Sequence, residues 1–274
     1  MKILTIILLS IFTVLNAQTE NYYVIKIKGE IHNETSGKTL KQGDAIKSSD
    51  KLKFNQKSAV ALVISDTRGR FTLKFPERME ESAGALTVFV KSALISHQQN
   101  RLSTRSLATK SAINHLDDYF GQNDFIIIGD ELELRLSKKY FPISLGYDVA
   151  AKYFIGEKEY TKILSTENQT MVLSRTMFEF ADSLEYSIKG LDIYKRNISA
   201  NKEELITNIN LNFVNKTELE KEFLTIIEKF NDGETTKSKI RSLLVNYFYD
   251  FYGKTDDFYL NQYTTDLIID NIVE

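Results

Sequence analysis

Alternation of apolar and polar side chains dominates the chain from residue 22 to about residue 95. Tyr23, Ile25 and Ile27 lie on one side of a period-two pattern, which is typical of a half-buried strand. The run 85–95 is compatible with a strand or a helix, and its Val88-Phe89-Val90 segment favours a strand. Short strands at such spacing predict a small sandwich or barrel over residues 18–95. Further strands are predicted at 51–54, 59–64 and 71–75.

A second β-rich domain is predicted at 107–214, behind a polar linker at 96–106. Helical spacing of apolar residues indicates one short helix at 113–120. Gly129-Asp130 and Gly156-Glu157 are interpreted as hairpin turns. The clearest strands of this domain are predicted at 125–128, 132–136, 149–155, 160–164 and 171–173.

Residues 215–274 have the 3.6-residue period of helices and predict a C-terminal helical bundle. Thr217 and Glu220 have the spacing of a capping box for the first helix. A second helix is predicted after Thr236, and a third at Asp256, where acidic residues favour the positive end of the helix dipole. The fold class is therefore expected to be α+β.

The N-terminus has the pattern of a secretory signal peptide. Lys2 precedes an apolar run at 3–15, and the small residue Ala17 precedes Gln18. A helix of that length spans about 20 Å, whereas a membrane anchor must cross roughly 30 Å of hydrocarbon. We therefore predict cleavage between Ala17 and Gln18, no membrane anchor afterwards, and a periplasmic or secreted location.

Composition removes several classes of function. The chain has no cysteine, which excludes disulfides, thiolate zinc sites, iron–sulfur clusters, a cysteine nucleophile and a lipoprotein anchor. Its 35 basic and 37 acidic residues give no electrostatic argument for a nucleic-acid partner. An exported chain of this composition must be held together by its core alone.

Three segments in a fixed order suggest a family. VIKIKGEI begins at Val24, GKTLKQGDAIKSSDKLKF at Gly37 and SAVALVISDTRGRFTLK at Ser58. This order resembles the FecR-type β domain, and also SH3-like barrels, over about residues 22–90. The resemblance implies a periplasmic regulatory or ligand-sensing module. The transmembrane helix and sigma-factor-binding part of FecR-like proteins are not recognisable here, so signal transduction of that kind is not expected.

The residues that most often carry catalysis are few. Gly37-Lys38-Thr39 lacks the first glycine of a phosphate loop, because His32 occupies that position. His97 and His115 complete the histidines, none of which has metal-binding spacing, and no serine lies in a GxSxG elbow. No catalytic residue, metal site or cofactor is therefore predicted.

Pairs of adjacent acidic residues, such as Asp117-Asp118 and Asp256-Asp257, are expected to point to different faces of their elements and not to share a substrate. Carboxylates from distant parts of the chain could still form a hydrolase of envelope polymers, which remains an alternative. The absence of tryptophan removes the usual stacking platform for sugars.

Four residues are candidates for contact with a ligand or partner. Arg68 and Arg70 flank the Gly69 turn and could bind an anionic group. Tyr249 and Tyr252 belong to an aromatic cluster that is too wide for one helix face, so part of it is expected to be exposed. The sequence thus predicts an exported, non-enzymatic binding or accessory protein of the bacterial cell envelope. A structural subunit of an extracellular assembly is a second alternative.

Overall fold

The structure, a computed structural model, describes residues 20–65, 69–77, 86–96, 112–121, 124–165, 168–178 and 187–272. The chain divides into two compact units, Met1–Gln99 and Asn100–Glu274. This division falls inside the predicted linker at 96–106. The predicted signal peptide, with Ala17 and Gln18, lies outside the described residues. Within the described ranges, every helix is too short or too polar to cross a lipid bilayer.

The first unit contains two antiparallel sheets. A five-stranded sheet has the order β4-β1-β6-β7-β9, and a four-stranded sheet has the order β3-β2-β5-β8. The strands and one short helix are β1 (Asn21–Lys28), β2 (Ile31–Asn33), β3 (Lys38–Thr39), β4 (Ala45–Lys47), β5 (Lys51–Phe54), β6 (Val60–Ser65), β7 (Gly69–Lys74), β8 (Thr87–Phe89), α1 (Val90–Ala93) and β9 (Leu94–Ser96).

The apolar faces of both sheets meet in one core. Val24 on β1 and Val63 on β6 come from the first sheet, and Ile31 on β2 and Leu52 on β5 from the second, and all four are fully buried. The prediction of a strand through the run 85–95 is wrong in its middle. α1 interrupts that run, because Val90 and Ala93 both turn into the core at helical spacing.

The second unit combines a six-stranded sheet, a two-stranded sheet and helices. The six-stranded sheet has the order β13-β12-β15-β16-β10-β17, and β11 pairs with β14 alone. The elements are α2 (Leu116–Phe120), β10 (Asp124–Ile128), β11 (Glu131–Arg135), β12 (Tyr147–Ile155), β13 (Lys158–Ile163), β14 (Thr170–Ser174), β15 (Ser187–Asn197), β16 (Lys202–Val214), α3 (Lys216–Phe230), α4 (Lys237–Phe251), β17 (Lys254–Thr255) and α5 (Asp257–Asn271).

Only one of the two predicted hairpin turns in this unit is a hairpin. Gly156-Glu157 joins the antiparallel strands β12 and β13, as predicted. The prediction for Gly129-Asp130 is wrong, because β10 pairs in parallel with β16 and β17, whereas β11 pairs with β14. The glycine turn therefore carries the chain from one sheet to another.

The three long helices contact one another at the C-terminus. Thr236 and Asp256 accept hydrogen bonds from Lys239 N and Tyr259 N and cap α4 and α5, as predicted. The predicted capping box at Thr217 is wrong, because α3 begins two residues earlier. Its first turn is capped by Asn215, whose side chain accepts from Glu218 N. The chain is thus a β-rich α+β protein with a C-terminal helical region.

Candidate functional site

Three of the four residues predicted to contact a ligand or partner are buried or half-buried. Arg68 lies outside the described residues. Arg70 follows Gly69 on β7 and is only 7% exposed, so little of its side chain is presented to solvent at the turn. Tyr249 and Tyr252 are half-buried near the end of α4. Contact of these residues with a partner stays a prediction.

The hydroxyl groups of the aromatic cluster bind within the chain. Tyr252 donates to both carboxylate oxygens of Glu222, at 2.8 and 2.7 Å, and Tyr247 donates to Oε2 of Glu222 at 2.9 Å. Tyr249 donates to Asp257 at the start of α5. Burial and the nearby Glu222 raise the pKa values of Tyr247 and Tyr252. This cluster therefore joins α3, α4 and α5.

An apolar row crosses one half of the six-stranded sheet, and its two ends are exposed. Ile163 lies opposite Ala150, Ala150 opposite Tyr194, and Tyr194 opposite Leu205, so the four residues are in register across β13, β12, β15 and β16. Residues directly opposite each other share a face of the sheet. Ile163 is 57% exposed and Leu205 is 53% exposed, although Ala150 between them is fully buried. We call this row and its two flanking rows the open face.

Charged and polar side chains border the apolar row on both sides. Lys152 and Asp192 lie opposite each other in one flanking row, which Thr161 and Asn208 extend. In the other flanking row Asp148 lies opposite Arg196, and Arg196 opposite Glu203. The exposed apolar surface of the row therefore lies at its two ends, at Ile163 and Leu205, because Lys152 of one margin reaches across Tyr194 to Glu203 of the other.

The charges of the open face are held by contacts within the chain. Arg196 binds Asp148 through two hydrogen bonds, of 2.7 Å from Nε and 2.6 Å from a terminal nitrogen. Lys152 donates to Glu203, which raises the pKa of Lys152. Its ammonium nitrogen also lies 4.7 Å from the ring centroid of Tyr194. These contacts order the side chains in fixed positions around the apolar row.

Strand alternation explains why only part of the sheet is open. On β12, Val149, Ala151 and Tyr153 point into the core of the unit, so Ala150 and Lys152 must point to the other side. On β10, by contrast, both alternating sets are buried: Phe125 and Ile127 belong to that core, and Ile126 and Ile128 are each only 5% exposed. The sheet is therefore covered on both faces at β10. In the part formed by β13, β12, β15 and β16, it is covered by the core on one face.

A cleft of about 490 Å³ lies between α2 and β16 and borders the open face at Asn208. It is lined by Asp117 and Asp118 on one side and by Ile206, Thr207 and Asn208 on the other. Thr207 Oγ1 donates to the carbonyl of Gly121 at 2.9 Å and so ties the walls together. β10 pairs only with the later part of β16, from Asn210 onward, so the cleft lies beside the earlier part.

The prediction that Asp117 and Asp118 point apart is wrong. Their carboxylate oxygens and a ring nitrogen of His115 all lie within 4.8 Å of one another. α2 is a single short turn at the surface, and its exposed acidic side chains can lean toward each other. The three groups are ligand types for a divalent cation. Ca²⁺, however, takes six to eight oxygen ligands, and structural zinc takes four protein ligands.

No protein-family model matches the chain, and no curated protein is significantly similar to it.

Proposed function

We propose that the chain is an exported, non-enzymatic binding protein of the bacterial cell envelope, and that it binds a protein partner through the open face. The observation that carries this proposal is the pair of exposed apolar side chains, Ile163 and Leu205, at the two ends of the row Ile163–Ala150–Tyr194–Leu205. Exposed apolar surface with a polar rim is typical of protein interaction sites.

The composition of the row supports a protein partner. Tyrosine is enriched at interfaces because its ring is apolar and its hydroxyl remains wet. Tyr194 lies in the row with Lys152 over its ring, and the ordered margins reduce the entropy lost on binding. A polyanion is a poor fit, because Lys152 and Arg196 are already paired with carboxylates.

The proposed location in the cell envelope rests on the first unit. We propose that it is a small β sandwich of FecR type that follows a cleaved signal peptide, since two sheets share its core and the turns keep the order of the resembling segments. Its role would be ligand sensing or scaffolding, while the second unit carries the partner surface. The C-terminal helices would form a small bundle that supports the β10 end of the sheet.

The test is a pull-down from the native envelope with residues 18–274 tagged at the C-terminus. The variant replaces both exposed ends of the row, Ile163→Lys with Leu205→Lys. The control is Ile269→Lys on α5, where the wild-type side chain is 62% exposed and belongs to a helix outside the open face. We expect a partner that the wild type and the control capture and the double variant loses. Equal capture by all three proteins, or by none, overturns the proposal.

A second candidate function is hydrolysis of an envelope polymer in the α2–β16 cleft. The observation in its favour is the convergence of the carboxylates of Asp117 and Asp118 there. Against it, both are exposed, whereas a catalytic acid is usually held in an apolar pocket that keeps its proton. Incubation with purified peptidoglycan should release no fragments. Release that Asp117→Asn abolishes would replace the binding proposal with this one.

A further inference from the structure

We infer that the partner of the open face is a second copy of this chain, which packs against it face to face about a two-fold axis. This inference rests on the proposed function, because it uses the same surface. It rests further on the order of charges around the apolar row. That order is complementary to itself.

The four central charges form a checkerboard. On β12, Asp148 is negative and Lys152 is positive, whereas on the neighbouring β15, Asp192 is negative and Arg196 is positive. Asp148 lies opposite Arg196, and Lys152 lies opposite Asp192. Each strand therefore carries one charge of each sign, in opposite order. A partner of uniform charge, acidic or basic, would meet repulsion at two of the four positions.

A two-fold axis that runs along the strands, midway between β12 and β15, exchanges these two strands between copies. Lys152 of one copy then faces Asp192 of the other, and Asp148 faces Arg196. Both pairings occur twice, because a two-fold interface is made by the same patch on both copies. The positions of all four central charges thus lie opposite positions of opposite sign, while Asp148 keeps its two bonds to Arg196 and Lys152 its bond to Glu203 within each copy.

The same axis matches the uncharged positions. Ile163 on β13 faces Leu205 on β16 of the other copy, so the two most exposed apolar side chains of the row cover each other. Tyr194, the largest side chain of the row, lies over the position of the fully buried Ala150, so the two tyrosine rings do not meet. Thr161 faces Asn208, which keeps polar beside polar.

An axis along the apolar row is the other in-plane choice, and it fits less well. It also brings opposite charges together, but it sets Tyr194 against Tyr194 and Ala150 against Ala150. Two bulky rings would then meet at the centre of the contact. The geometry therefore points to the axis along the strands.

The proposed dimer interface is small, and its area determines how tightly the two copies are expected to bind. Four strands span about 14 Å between the outer backbones, and three rows span about 13 Å along them. The patch covers roughly 200 Å² of each copy, well below the about 800 Å² per partner of a standard interface, so a weak and rapidly reversible association is expected. Because the charges already have partners within the chain, they are expected to fix orientation more than affinity.

The experiment is sedimentation equilibrium of purified residues 18–274 at low to high micromolar concentration. The wild type should show a monomer–dimer equilibrium. Leu205→Lys alone, and Ile163→Glu alone, should each weaken it at least about tenfold, since each buries a charge against an apolar side chain. An equimolar mixture of the two variants should dimerise again, because the introduced lysine of one chain then faces the introduced glutamate of the other.

Two controls make the outcome unambiguous. Ile269→Lys should dimerise as the wild type does. A mixture of Leu205→Lys with Leu205→Glu should stay monomeric, and rescue in this mixture would instead place the axis along the row and overturn the geometry. A wild type that is monomeric throughout overturns the second copy as partner. In that case a row-dependent capture of another envelope protein would still support the proposed function, so the two failures are distinguishable.

Discussion

Tyr247 on α4 donates its hydroxyl to the carboxylate of Glu222 on α3 at 2.9 Å, and both side chains are almost completely buried. Tyr252 donates to the same carboxylate from its half-buried position. A buried carboxylate is tolerated only where donors replace the water it has lost. The hydrogen bonds of these two phenols to Glu222 therefore attach α4 to α3.

Replacement of Tyr247 by phenylalanine should lower the free energy of unfolding by about 1.5–3 kcal/mol, the range for a hydrogen bond to a charged group. Tyr252→Phe should cost less, because water can reach its position. Chemical denaturation measures both changes. Tyr259→Phe on α5, where the ring is 38% exposed, is the matched control and should stay within about 0.5 kcal/mol of the wild type. Equal values for Tyr247→Phe and the control would contradict the role of Glu222.

The buried tyrosines predict a loss of stability at alkaline pH. A phenol whose folded-state pKa is raised above 10.0 keeps its proton in the fold and releases it on unfolding. The stabilisation is therefore complete below pH 10.0 and is lost progressively as the pH rises above that value. Burial is the largest cause of the raised pKa in each of Tyr119, Tyr247, Tyr249, Tyr252 and Tyr263.

Phenolate absorbance measures this directly. In denaturant all 14 tyrosines should titrate together near their ordinary pKa, whereas in the folded chain a fraction should ionise only when the chain unfolds. Tyr119 is the most informative single position, because its hydroxyl donates to Asp256 at 2.7 Å and links α2 to the cap of α5. Tyr119→Phe should remove one group from the late-titrating fraction. A native titration that coincides with the denatured one would refute the raised pKa values.

Gly29 tests the packing of the first unit. Its φ is +80°, and a Cβ placed there would lie 2.9 Å from Cβ of Ala59. Gly37 has a similar φ of +72°, with open space around it. Both glycine-to-alanine changes incur the strain of a left-handed backbone, but only Gly29→Ala also forces the chain off Ala59. We expect Gly29→Ala to lower the free energy of unfolding by at least about 1 kcal/mol more than Gly37→Ala. Thermal denaturation that ranks them equally would contradict this packing.

Local patterns account for most of the elements that the sequence predicted. Alternation of apolar residues marks β1, and capping residues at Thr236 and Asp256 mark α4 and α5, because these signals lie within a few residues of the structure they specify. The predicted inner face of β1 is wrong at its start, because Tyr22 and Val24 turn into the core and the register shifts after Val24. The strand β16 also had such a signal: Thr207, Ile209, Leu211 and Phe213 alternate with asparagines. It is the longest strand among the described residues, and it is absent from the strands predicted above.

The open face could not be predicted in this way. Its apolar row joins Ile163, Ala150, Tyr194 and Leu205, whose strands are neighbours only through the order of the sheet. Register between strands distant in sequence depends on the whole core and not on a short segment. The wrong prediction for Gly129-Asp130 has the same origin. The sequence of a glycine turn does not show whether the two strands that flank it pair with each other or belong to different sheets.

The absence of cysteine from the chain allows the most direct test of the open face as the surface of association. Single cysteines are introduced as Ile163→Cys, Leu205→Cys and, as a control, Ile269→Cys, and purified chains are treated with a short thiol–thiol cross-linker. We expect a cross-linked dimer in the mixture of Ile163→Cys with Leu205→Cys, at a yield well above that of either variant alone or of Ile269→Cys. A yield in that mixture no higher than that of Ile269→Cys would contradict the open face as the surface of association.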